Sequence, residues 1–102
     1  MRGETKKFID RLAKQRFPEF VESVILFGSE VYGKPNLLSD IDIAIVSKSN
    51  IKIKQRVIIE EMIELLEPPY SCKIIFVSKQ ENYSRNDVRK DIFEKGLNVY
   101  AV

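Results

Sequence analysis

Two short strands, joined through a Gly-Ser pair and an Asp-x-Asp, constrain the fold of this chain more than any other feature. Val21–Phe27 is a short run rich in β-branched residues, and it ends at Gly28-Ser29. An apolar run of this length before a glycine predicts a buried strand. Ten residues later, a second segment places isoleucines on one face and, on the other, Asp40, Asp42, Ala44 and Val46. This alternation predicts a second strand whose one face begins charged and ends apolar.

Apolar spacing defines the rest of the chain. It predicts helices over about 5–16, 50–67 and 84–95, and strands over 72–77 and 97–101. The predicted core side of the long helix is formed by Ile51, Val57, Ile58, Met62, Ile63, Leu65 and Leu66. Between the first two strands, we expect Ser29 to N-cap a helical turn that Gly33 ends in a left-handed conformation. With no repeat or linker, we predict a single domain over 1–102 with an α/β (α+β) fold, a small mixed sheet with helices packed on it.

Composition excludes several kinds of chemistry. The 102 residues include no histidine, so His general bases and His metal ligands are ruled out. Cys72 is the only cysteine, which excludes an internal disulfide and is typical of a reducing compartment. A net charge of +2 is too small to predict nucleic-acid binding. With no apolar run of about 18–20 residues and no signal-peptide pattern, we expect a cytoplasmic protein without a membrane partner.

The residues of the two-strand segment point to a nucleotide and a metal ion. Gly28 lets the backbone approach a phosphate because it has no Cβ. Ser29 and the amides that follow it begin a helical turn, which favours anions. Asp40 and Asp42 project from one face of a strand, where two carboxylates repel each other unless a cation lies between them. Carboxylates together with substrate phosphates commonly hold Mg²⁺, so the segment predicts a site for a nucleoside triphosphate with Mg²⁺ or Mn²⁺.

This pattern resembles the minimal nucleotidyltransferases of the DNA polymerase β superfamily, whose signature is Gly-Ser, ten residues and Asp-x-Asp. The matching residues are Gly28, Ser29, Asp40 and Asp42. The resemblance covers nearly the whole chain and implies the nucleotidyltransferase fold. It implies an enzyme that transfers a nucleoside monophosphate, AMP in particular, from an NTP such as ATP to an acceptor. Gly28 and Ser29 would bind the nucleotide, while Asp40 and Asp42 would be catalytic and bind the metal. Free-standing domains of this kind are often antitoxins, which implies a HEPN-type toxin as protein partner and acceptor.

One position departs from the pattern of that family. A third carboxylate usually lies on a later strand, in a sequence similar to Lys-Val-Asp-Leu-Val, and here the matching segment places Ile75 at its position. By the resemblance, this loss weakens the acceptor-side metal and removes a general base. The alternative is therefore a degenerate domain that binds nucleotide or a toxin without turnover. The sequence leaves open the base preference, the acceptor and whether the chain forms a homo-oligomer.

Overall fold

Helices and strands follow one another in the predicted order. The computed structural model describes residues 1–79 and 88–102, without the side chain of Val88. Its elements are the helices α1 (Gly3–Ala13), α2 (Ser29–Tyr32), α3 (Ile53–Leu65) and α4 (Val88–Lys95), and the strands β1 (Ser23–Phe27), β2 (Ile41–Ser47), β3 (Cys72–Ser78) and β4 (Leu97–Ala101). The predicted α+β class is confirmed. The predicted start of the last helix near Ser84 lies outside the described residues.

The four strands form one mixed sheet in the order β3-β2-β1-β4. Strand β2 pairs antiparallel with β1 and parallel with β3, while β4 pairs antiparallel with β1. In this register Asp42 lies opposite Phe27 on one side and beside Lys73 on the other. The end of β1 and the beginnings of β2 and β3 therefore meet at the same edge of the sheet.

Both faces of the sheet are covered by apolar side chains. One face packs against α1 and α3 in a core whose buried members are Phe8, Ile9, Leu12, Phe17, Val21, Val24, Leu26, Ile41, Ile43, Ile45, Ile59 and Ile63. The other face packs against α4 in a smaller cluster of Ile25, Phe27, Ala44, Val46, Val77 and Ile92. The second face of β2 thus begins with a carboxylate and becomes apolar, as its alternation predicts. Among the described residues, no helix is long and apolar enough to cross a membrane.

Helix α3 buries only part of the face that its sequence suggests, because Ile63 is buried and Ile51, Met62 and Leu66 pack against the core as predicted, while other predicted residues are exposed. The predicted core residues Val57 and Ile58 are each 45% exposed, and Leu65 is 82% exposed. Ile59 and Ile63 are the residues buried against the sheet. Apolar residues lie on several sides of this helix, so a period of 3.6 residues does not select a single buried face. Tertiary packing makes that choice.

Substitutions on the two sides of α3 are expected to differ in cost. Ile63→Ala should lower the free energy of unfolding by roughly 2–5 kcal/mol, because it empties space in the core. Leu65→Ala on the exposed side should change it by about 0.5 kcal/mol or less. Denaturant titration of both variants measures the difference. Equal losses would contradict the observed orientation of α3.

Candidate functional site

Gly28 joins the end of β1 to α2 in a conformation that side chains disfavour. Its φ is 78° and its ψ is −154°. A Cβ at this position would overlap the carboxyl group of Asp42 on the neighbouring strand. Glycine is needed here both for the positive φ and for the close approach. The structure therefore brings Gly28 and Asp42, two of the predicted site residues, into direct contact.

The short helix α2 places Ser29 at the start of a single turn. The amides of Val31 and Tyr32 donate to the carbonyl of Gly28 at 3.0 and 3.1 Å. Gly28 is the N-cap, so the prediction that Ser29 occupies that position is wrong. Gly33 is extended, with φ −125°, instead of left-handed. It is close to the start of the turn, since a Cβ on it would lie 2.9 Å from the Cα of Ser29. Close packing, and not a left-handed cap, accounts for this glycine.

Asp40 and Asp42 lie at the beginning of β2, and their environments differ. Asp40 is exposed and immediately precedes the strand, while Asp42 is half-buried within it. Burial raises the pKa of the Asp42 carboxyl, and the negative charges of Asp40 and Glu30 raise it further. Lys73 acts in the opposite direction and lowers that pKa. Without a cation, the charged form of Asp42 is thus disfavoured.

This donor set suits one divalent cation. Asp40 and Asp42 supply two carboxylates, and the described part of the chain contains no cluster of three His, Cys, Asp or Glu side chains suited to a metal ion. A cation beside Asp42 would offset the burial and the repulsion that oppose its charge. Mg²⁺ is commonly bound by one or two carboxylates, with water and substrate phosphates as its other ligands. Asp40 and Asp42 fit that arrangement.

Arg2 and Glu30 form a buried ion pair next to Ser29, which the sequence did not predict. Glu30 is 1% exposed and follows Ser29 directly. Its carboxylate accepts hydrogen bonds from the backbone amide of Arg2 and from its Nε, each at 3.2 Å. The hydroxyl of Thr5 also donates to it. The partners are 28 positions apart and belong to no periodic pattern, so nothing in the sequence identified them.

Arg2 also holds the segment that leads into Asp40. Its Nη1 donates to the carbonyl of Asn36 at 2.8 Å, and its Nη2 donates to that of Ser39 at 2.9 Å. The guanidinium lies 3.6 Å from the centroid of the Tyr70 ring. One side chain therefore connects α1, α2 and the loop before β2. The position of Asp40 relative to the Gly28 turn depends on these contacts.

Strand β3 places Lys73, and not Ile75, beside Asp42. Ile75 shares a sheet face with Lys73, but its partner on β2 is Ala44. It packs against the smaller apolar cluster under α4. The register pairs Lys73 with Asp42. The β3 side chain nearest the carboxylates in this register therefore carries a positive charge.

Cys72 adjoins the site without the character of a nucleophile. It is half-buried, and its Sγ lies 3.8 Å from the carbonyl of Tyr70. Burial, together with the charge of Asp40, raises the pKa of its thiol to about 11. The thiolate, which is the reactive form, is therefore scarce near neutral pH.

Removing the charge of Glu30 tests the buried pair. Glu30→Gln keeps the size of the side chain but leaves Arg2 without a countercharge. We expect a loss of about 3 kcal/mol in the free energy of unfolding, the low end for a broken buried pair. Glu4→Gln, at an exposed position of α1, is the matched control and should have almost no effect. Denaturant unfolding compares the two, and a loss no larger for Glu30→Gln than for Glu4→Gln would contradict the role of the pair.

Comparison with known proteins identifies the family and the fold of the chain. Residues 6–101 match the family described as polymerase beta, nucleotidyltransferase. No curated protein matches the chain. A chain from the crystal structure of a toxin–antitoxin with AMP-PNP has a similar fold, with a TM-score of 0.58 and 19% identity over 99% of this chain and 75% of that one. Because the family match spans nearly every residue, this chain belongs to the polymerase β nucleotidyltransferase family.

Proposed function

We propose that the chain binds a nucleoside triphosphate with one Mg²⁺ and transfers its nucleoside monophosphate to an acceptor. The observation that carries this proposal is the contact between the Gly28 turn and Asp42 at the start of β2. It places the helical turn that begins at Ser29, which favours anions, beside a pair of carboxylates suited to a cation. Membership of the nucleotidyltransferase family supports the same kind of reaction.

The residues of the site have distinct parts in that reaction. Gly28 lets the Asp42 carboxyl lie directly against the backbone of the turn, and Ser29 presents its hydroxyl at the same turn. Asp40 and Asp42 would hold Mg²⁺, which when bound neutralises charge on the phosphate oxygens. A hydroxyl oxygen of the acceptor forms a bond to the α-phosphorus while the bond between that phosphorus and the bridging oxygen breaks. Pyrophosphate leaves, and the hydroxyl proton passes to water.

ATP as donor and a toxin as acceptor form the finer part of the proposal. Their support is the fold that this chain shares with a chain of a toxin–antitoxin crystallised with AMP-PNP, an analogue of ATP. The acceptor would then be a hydroxyl-bearing side chain of a HEPN-type toxin, which the transferred AMP inactivates. Such a partner and reaction would make this chain an enzymatic antitoxin.

A second candidate is binding without turnover. It is favoured by the position of Ile75 among apolar side chains and by the absence, in residues 1–79 and 88–102, of a third carboxylate grouped with Asp40 and Asp42. In two-metal transferases the second ion stabilises the attacking oxygen. If transfer in this chain requires that second ion, a site with one cation would retain the nucleotide without transferring it, and the domain would act on its partner by binding alone.

Calorimetry and label transfer test the proposed function. ATP should bind in the presence of Mg²⁺ and bind much more weakly in EDTA, because the carboxylates and phosphates repel each other without the cation. Equal binding in EDTA would contradict a site built on a cation. Incubation with α-labelled ATP, Mg²⁺ and the protein encoded by the neighbouring gene then distinguishes transfer from binding without turnover. Label on that protein supports transfer, whereas binding without label supports the second candidate.

Asp42→Asn should abolish Mg²⁺-dependent ATP binding without destabilising the metal-free protein. The folded-state pKa of Asp42 is raised, so its ionisation costs stability as pH rises from below the ordinary value of 3.8 through the folded value. The free energy of unfolding of the native chain should therefore fall relative to that of Asp42→Asn over this range. Calorimetry and pH-dependent unfolding in EDTA measure both effects.

Asp10→Asn, on the exposed side of α1, is the matched control for this experiment. It removes one carboxylate far along the sequence from the site and should leave ATP binding unchanged. If Asp42→Asn unfolds the protein in EDTA while Asp10→Asn does not, Asp42 is a structural residue and the assignment is wrong.

A further inference from the structure

Lys73 occupies a defined position beside the carboxylates. It is the second residue of β3, and the parallel register pairs it with Asp42. Register partners on adjacent strands share a face of the sheet, so both side chains project toward the side of the Gly28 turn. Ile74 projects to the opposite face, where it packs against the larger core. Lys73 itself is exposed.

The charges around Asp42 form two sets: a buried pair, called closed here, and an accessible group, called open. Glu30 is paired with Arg2 at 3.2 Å, with 0% and 14% of their side chains exposed. Asp40, Asp42 and Lys73 form the open group, in which Lys73 opposes the raised pKa of Asp42 and Asp40 increases it. Among the residues that the structure describes, Lys73 is therefore the positive charge that acts on Asp42 in the accessible part of the site.

We infer that Lys73 is a nucleotide-binding residue whose ammonium, beside Asp42, attracts phosphate oxygens and restricts the carboxylate pair to a single divalent cation. The inference rests on the proposed function, since it assigns one contact within the same site. An ammonium is a compact point charge on a flexible stem, suited to phosphate oxygens. The same charge repels a second cation from the space next to Asp42.

An electrostatic role of Lys73 can be distinguished from a structural role by measuring the affinities for an anion and for a cation separately. A positive charge at this position strengthens the binding of an anion and weakens the binding of a cation. Removing it should therefore change the affinities for ATP alone and for Mn²⁺ alone in opposite directions. Loss of packing or of strand pairing would instead reduce both affinities together.

The experiment compares the full chain with Lys73→Met, Lys73→Arg and Lys48→Met. Lys48 is the matched control, because it is an exposed lysine that follows the opposite end of β2. Three binding constants are measured at low salt, where charge effects are largest: ATP in EDTA, Mn²⁺ alone, and ATP with saturating Mn²⁺. The number of Mn²⁺ ions per chain is counted in the third condition.

Lys73→Met should weaken ATP binding in EDTA by roughly threefold to tenfold and tighten Mn²⁺ binding by a similar factor, the scale of one exposed unit charge. Lys73→Arg should restore both values, and Lys48→Met should change neither. The native chain should hold one Mn²⁺ in the presence of ATP.

Two results would overturn the assignment of Lys73 while leaving the proposed function intact. The first is that the affinities for ATP in EDTA and for Mn²⁺ alone fall together, or stay unchanged, in Lys73→Met. The second is that the native chain binds a second Mn²⁺ in the presence of ATP. If the native chain binds ATP no better with Mn²⁺ than in EDTA, the proposed function fails, and the inference about Lys73 fails with it.

Discussion

The site depends on the constraint that β2 must be buried on both faces. It is hydrogen-bonded to β1 on one side and to β3 on the other, and Ile43, Ala44 and Ile45 are all fully buried. A charged side chain in such a strand is costly except where the strand reaches the edge of the core. Asp42 lies at that point, and a slip of one residue would turn it toward the larger core while turning the isoleucines toward the smaller cluster under α4. The register that protects the core therefore also fixes the carboxylate against Gly28.

A second constraint holds the turn and the loop around this strand. The buried pair of Arg2 and Glu30 connects α1 to α2, and the remaining donors of Arg2 fix the loop that ends at Asp40. Burying two charges brings little net stability, because desolvation offsets much of their attraction. The clearer effect of the pair is geometric, because the guanidinium of Arg2 makes all of its hydrogen bonds only when α2 and the loop before β2 are both in place. Asp40, which lies outside the regular strand, is positioned through these contacts.

The sequence predicts those parts of the fold that depend on the spacing of apolar residues within one helix or strand. The alternation of 41–47 and the apolar run of β1 identify both strands and the face that bears Asp42. Helix α3 is apolar on several sides, so its pattern identifies a helix but only part of its buried face. The Arg2–Glu30 pair joins residues 28 positions apart and leaves no periodic trace.

The difference between Ile75 and Lys73 has a similar origin. Alternation shows that both residues lie on one face of β3, and the structure agrees. Which of them lies beside Asp42 depends on the parallel register between β2 and β3, which the long crossover through α3 connects. A crossover of this length has no sequence signal that fixes pairing to one residue, whereas a tight hairpin would. Three-dimensional information is therefore needed to identify the neighbour of Asp42.

The balance of charge explains why a cation and a nucleotide should bind together. Glu30 is paired with Arg2, and within residues 1–79 and 88–102 the carboxylates of Asp40 and Asp42 are opposed by the ammonium of Lys73 in the accessible part of the site. That group has an excess of one negative charge, so a triphosphate approaching alone meets repulsion from the carboxylates despite Lys73. A divalent cation reverses the sign of the excess and shares its ligands between protein and phosphate. At separations below the Debye length of about 8 Å, salt screens these interactions only in part. In the proposed site, the cation and the nucleotide would therefore each raise the affinity for the other, while Arg2 partly offsets the negative charge that Glu30 adds beside Asp42.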